Sequence, residues 1–173
     1  LSKNNSSYKR IKIINSIFPD AIILIPYRNP LQHAYSLLKQ HNHFCKAQKK
    51  DKFILDYMNF LGHNEFGLNY KSWNLSEKYE NPFTLNHWLE QWCFFYKNII
   101  MDIKKNKNVI LISYEKLCNN LELTKNLVLK LNLNQNKYDN FFKLSHQNIK
   151  EDYDKSLLIE CNKFQEKLNE ISL

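Results

Sequence analysis

Arg28 closes an apolar run, and Ser36 follows it by two helical turns. Together they are the residues whose types and spacing could bind a phosphate. A guanidinium is planar, permanently charged and matched to two parallel hydrogen bonds with phosphate oxygens. A serine hydroxyl on the following helix can donate to the same anion. On spacing alone a second reading stands level with this one, in which Arg28 pairs with a carboxylate and Ser36 merely packs. Proton-transfer chemistry has weaker carriers. His33, His41, His63 and His87 can each be nominated as a base, but no motif surrounds any of them. The cysteines, Cys45, Cys93, Cys118 and Cys161, are far apart, with no CxxC pair and no histidine at ligand spacing. The pattern therefore calls for no metal, and it fits a reducing compartment, which makes the cytoplasm the expected location.

Elements of two kinds must hold Arg28 and Ser36 in place. Residues 7–18 predict a short helix with Ile11, Ile14 and Ile17 on one face, ended by Pro19-Asp20. Ala21 to Tyr27 is continuously apolar, as in a strand buried on both faces of a parallel sheet. Asn29 and Pro30 suit the N-cap and first position of a helix reaching about Gln48, with Leu31, Ala34, Tyr35, Leu38 and His41 along it. A short helix from Phe53 to Leu61 follows, capped by Gly62, and residues 63–82 read as an irregular segment.

From Thr84, an expected N-cap, a long helix carries Leu85, Trp88, Leu89, Trp92, Tyr96, Ile99 and Ile100 in a broad apolar stripe, ending at Lys104-Lys105. Val109 to Ser113 predicts a second strand. Helices at about 121–131 and 152–171 complete the order α-β-α-α-α-β-α-α. That order predicts an α/β fold, rich in helix, with a parallel sheet that two strands alone do not complete. The remaining strands are expected upstream of Leu1.

The bulk numbers set limits. A chain of 173 residues suits one domain, and two glycines and four prolines are too few for an all-β fold. No run approaches the roughly 20 apolar residues of a membrane span. Net charge is +8, a surplus that can attract phosphorylated small molecules, nucleic acid or anionic membrane. The lysines are scattered, and the densest cluster, Lys46 to Lys52, reads as a solvated face.

The segment Phe18-Pro-Asp-Ala, an apolar strand, Arg28-Asn-Pro and then Ser36 resembles the 3′-phosphate-binding segment of sulfotransferases that use 3′-phosphoadenosine 5′-phosphosulfate, PAPS. Further parts agree in order. Leu37 to His41, Tyr57-Met58 and Leu61 to Gly67 are similar to segments of bacterial-type members, and Trp88 to Tyr96 to a Trp-rich helix. Val109 to Leu117 resembles the strand ending in Tyr-Glu-x-Leu, followed by a helix closing at Leu131 to Leu133. Beyond Leu133 the resemblance fades. It implies a P-loop-like three-layer fold and a single sulfotransferase domain, 1–173, that is the C-terminal part of the whole. It also implies PAPS as donor substrate, with Arg28 and Ser36 on its 3′-phosphate and Tyr114 near the adenine. Lys3 resembles a lysine near the transferred group, although Asn4-Asn5 replace the expected proline.

One part of the family pattern is missing. The Gly/Ser/Thr-rich loop that grips the 5′-phosphosulfate has no counterpart in the chain. The expected function is sulfuryl transfer to a hydroxyl or amine, on a small-molecule or glycan acceptor, by the full-length protein; the 173 residues alone are expected to be inactive. Neither a nucleic-acid partner nor a membrane segment is expected. Two alternatives remain at this level: a non-catalytic nucleotide-binding or scaffold module, and a kinase-like P-loop phosphotransferase.

Overall fold

Two short strands pair in parallel, β1 (Ile23–Tyr27) and β2 (Val109–Ser113), in register from Ile23 opposite Val109 to Tyr27 opposite Ser113. A computed structural model of the chain describes residues 5–73, 78–103, 108–133 and 142–173. Lys3 and Lys104-Lys105 lie outside the described residues. The helices are α1 (Ile11–Ile17), entered from a 3₁₀ turn at Asn5–Arg10, α2 (Pro30–Lys50), α3 (Lys52–Phe60), α4 (Leu85–Ile103), α5 (Tyr114–Asn119), α6 (Leu121–Lys130) and α7 (Lys155–Ile171). This is a helix-rich α/β arrangement with a small parallel sheet. The chain divides into two compact units. One comprises Leu1–Arg28, Lys97–His146 and Glu166–Leu173, the other Asn29–Tyr96 and Gln147–Gln165.

The first unit is built on the sheet. Ile110, Ile112, Leu117 and Leu123 form a buried cluster, with Leu127 and Leu173 against it. Alternation follows from the strand's period of two: β1 buries Ile25 and Tyr27 while Leu24 and Pro26 face outward. The expectation that this run is buried on both faces is thus corrected. Among the described residues β1 has a neighbour on one side only, and a proline inside a strand belongs at such an edge. β2 is buried from Ile110 to Ser113. The Leu173 N–H bonds to the Leu111 carbonyl (3.1 Å), and the Tyr27 hydroxyl meets Asn169 Oδ1 (2.8 Å) and Ser172 Oγ (2.9 Å).

A second difference concerns residues 114–119, to which the expected order of elements gives no helix. They form α5, because Ser113 ends β2 and caps the helix at once, its Oγ accepting from the Lys116 N–H. Asn120 then caps α6 by accepting from Leu123 N–H.

In the second unit α2 starts as its sequence dictates. The Asn29 side chain accepts from Gln32 N–H at 3.1 Å and Pro30 occupies the first turn. Its buried face is Pro30, Ala34, Leu38, His41, Cys45 and Gln48, a stripe at three- and four-residue steps. Leu31 and Tyr35 sit beside that stripe, half-buried. Residues of this unit from α4 bury Leu85, Trp88, Leu89, Trp92, Cys93 and Tyr96, and those from α7 bury Leu157 and Cys161. All four cysteines are buried thiols. At the start of α4 the Thr84 hydroxyl bonds back to the Asn81 carbonyl (2.9 Å), and Asn81 Oδ1 accepts from Phe83 N–H. Asp154 caps α7, taking hydrogen bonds from Ser156 N–H (2.8 Å) and Leu157 N–H (3.3 Å).

Candidate functional site

Arg28 and Tyr114 each stand one residue past the C-terminal end of a paired strand. Because Tyr27 lies opposite Ser113, parallel register brings the two side chains together, and the Arg28 guanidinium lies 5.5 Å from the centre of the Tyr114 ring. A cation over an aromatic face is held by the ring quadrupole. In open α/β sheets the strand C-termini are where ligands bind.

Residues 142–146 join this pair. One Arg28 Nη donates to the Ser145 carbonyl (2.5 Å), the Tyr114 hydroxyl donates to the Lys143 carbonyl (2.9 Å), and the Phe142 ring meets Tyr114 edge-on. Nothing in the sequence marks this stretch, which lacks periodicity and lies past the resembling region. Burial, and after it the Cys118 thiol, push the Tyr114 phenol above its ordinary range, so the group is a protonated donor at neutral pH. A guanidinium has five N–H donors, and the single hydrogen bond described for Arg28 leaves others for an anion.

Ser36 lies on α2, half-buried, in the second unit, and its hydroxyl makes no hydrogen bond among the described residues. Lys3, the candidate for contact with the transferred group, is outside the described residues.

The histidines separate clearly. His41 is buried; its Nδ1 accepts from Gly67 N–H (3.3 Å), so the ring proton is on Nε2, 3.5 Å from Cys45 Sγ. Tyr70, Phe83 and Trp88 pack around the ring. Burial, with the nearby His87 second, brings His41 down to about 4. His87 has the opposite tautomer. Its Nδ1–H donates to the Tyr79 carbonyl (2.6 Å), and its Nε2 accepts from the Tyr70 hydroxyl (2.7 Å). Burial lowers His87 too, and pushes the Tyr70 phenol up. Both imidazoles are neutral, enclosed and engaged on each nitrogen, which suits a structural part and not that of a base.

These side chains hold the irregular segment. Gln48 Oε1 accepts from Leu68 N–H (2.6 Å) and Gln91 Oε1 from Trp73 N–H (2.9 Å), alongside the His41 and His87 bonds. Apart from His41, which falls among the apolar residues expected along α2, sequence alone does not single out these polar residues as interior ones. The signal that could have found them is a polar residue in register with an apolar stripe: His41 and Gln48 lie on the buried face of α2. His63, by contrast, is exposed and 3.1 Å from Glu65.

Among the described residues no group of three or more His, Cys, Asp or Glu could hold a metal ion. None of their helices is long and apolar enough to cross a membrane. No family model, curated protein or solved structure matches the chain.

Proposed function

We propose that the chain is the part of a PAPS-dependent sulfotransferase that holds the nucleotide end of the donor. The observation that supports this reading most is the pairing of Arg28 with Tyr114 beyond the C-terminal ends of two parallel strands. A fixed guanidinium beside a phenol ring suits a phosphorylated nucleoside: charge-assisted hydrogen bonds to phosphate, and stacking or a hydrogen bond to the base. The carbonyls of Lys143 and Ser145 occupy one donor on each group, so a bound nucleotide exchanges with them or shares the groups. Ser36 enters on its sequence position alone, as a second donor to the 3′-phosphate. Bound donor would supply the sulfuryl group. The transfer itself, in which the acceptor oxygen or nitrogen attacks sulfur as the bridging oxygen leaves, is assigned to none of the described residues.

Calorimetry with 3′-phosphoadenosine 5′-phosphate tests the reading. The nucleotide is expected to bind more tightly than ADP, which lacks the 3′-phosphate, and Arg28→Ala is expected to weaken it by about 1.5–3 kcal/mol, the loss of a charged hydrogen-bond partner. Equal affinity for wild type and variant would sink the assignment of Arg28. A preference for ATP with no response to the 3′-phosphate would favour the kinase-like alternative.

A further inference from the structure

The helix α3 has two apolar faces, and the fold uses one. Ile54, Leu55 and Met58 are half-buried against the chain, and Met58 Sδ accepts from Gln48 Nε2 at 3.1 Å. Phe53, Tyr57 and Phe60 lie on the opposite side, at steps of four and three residues, and are 71%, 52% and 85% exposed; Leu61, the next residue, is 46% exposed. Phe53 and Tyr57 stack on each other in the open. A protein surface exposes single large apolar side chains freely, but an ordered stripe of them marks a contact.

What surrounds the stripe indicates the contact. Lys46, Lys49 and Lys50 end α2 and Lys52 begins α3, all exposed and within two turns of Phe53. The nearby acids are Asp51, whose carboxylate caps α3 by accepting from Phe53 N–H (2.9 Å), and the exposed Asp56. Over residues 46–60, which carry the aromatic stripe, positive charge therefore prevails, four lysines against two aspartates. The face belongs to a single nine-residue helix. Aromatic rings next to a lysine cluster have the chemistry of a membrane interface, with rings among the acyl ends of the headgroups and ammonium groups reaching anionic phosphates. We propose that α3 with the end of α2 docks the protein peripherally on anionic lipid. The cluster from Lys46 to Lys52, plain solvated charge in sequence, then acts as the electrostatic half of that contact.

The test is co-sedimentation of the 173-residue chain with vesicles of phosphatidylcholine alone or mixed with phosphatidylserine. Pelleting is expected with the mixed vesicles, weakening as salt rises, and weak or absent with phosphatidylcholine. Phe53→Ser with Phe60→Ser is expected to lower partitioning about tenfold, because both rings lie outside the core and contribute apolar area only when inserted. Lys49→Glu with Lys50→Glu is expected to lower it about as much at low salt and to flatten the salt dependence. Circular dichroism establishes that the variants keep their helices. Wild-type chain that stays in the supernatant with both vesicles overturns the proposal, as does a serine double variant that pellets like wild type. Sedimentation as a dimer that the serine variant splits, without vesicle binding, overturns it in favour of a second copy.

Discussion

Gly67→Ala is expected to destabilise the second unit by about 2–4 kcal/mol, combining backbone strain with the loss of a buried hydrogen bond. Gly67 has φ +90°, a conformation that a residue with a Cβ rarely adopts. An added methyl would lie 2.3 Å from Gln48 Oε1 and 2.7 Å from its Cδ. The Gln48 amide cannot swing aside cheaply. It is buried, and it is held by Leu68 N–H on one atom and Met58 Sδ on the other. The measurement is urea unfolding followed by tryptophan fluorescence, since Trp88 and Trp92 lie in this unit's core. Gly62 supplies the control. Its φ is +69°, but a methyl added there would meet nothing within 4 Å, so Gly62→Ala is expected to cost only the strain of a left-handed residue, about 1–2 kcal/mol. Equal losses at the two glycines would show that the Gln48 contact does not matter.

Stability is expected to fall steeply as pH drops from about 6.5 toward 4, and His41 is the main reason. The sign follows from proton counts. Unfolded, the imidazole takes a proton near pH 6.5; folded, it resists until about 4. Between those values the unfolded chain binds the extra proton, so the contribution of neutral His41 is full above the window and lost as pH falls through it. One such group bounds the slope at about 1.4 kcal/mol per pH unit. His87 adds in the same direction. His41 is the harsher case, because a second ring proton would face the Gly67 N–H, donor against donor. The Tyr70 hydroxyl opposite His87 can turn and accept. Denaturation midpoints measured across this range should show the slope in wild type and a shallower one in His41→Asn, whose amide oxygen can still accept. A variant that keeps the wild-type slope would assign acid sensitivity elsewhere.

The legibility of this chain is uneven, for physical reasons. Strands and long helices are readable because apolar runs and capping residues act locally: Asn29 and Pro30 start α2, and Val109 to Ser113 is β2. The helix α5 is not, because its start depends on Ser113 serving as strand end and cap together, and six residues are too few to show a period. The position of Arg28 at a strand end is readable, and its approach to Tyr114 follows from parallel register, which only pairing can show. The 142–146 stretch that bonds to both is hidden, since it engages them through backbone carbonyls that any sequence supplies. Gln48 escapes notice for a related reason, and His41, legible on the stripe of α2, does not reveal what it holds. A polar side chain on an apolar stripe is informative only once its backbone partner, here at Gly67 and Leu68, is known.

The pairing of β1 with β2 also bears on how the chain acquires its structure. Everything from Arg28 to Asn108 separates the strands, so their first ladder bond closes a very long loop and repays that entropy late. Helices such as α2 and α3 rest on neighbours close in sequence and need not wait. During synthesis β1 leaves the ribosome with its partner not yet made, and its apolar residues, Leu24 and Ile25 among them, are then a surface for chaperones to hold. Arg28 and Tyr114 meet only when that ladder forms. The candidate nucleotide site is therefore among the last features to assemble, and its ligand would act on folding as a late clamp.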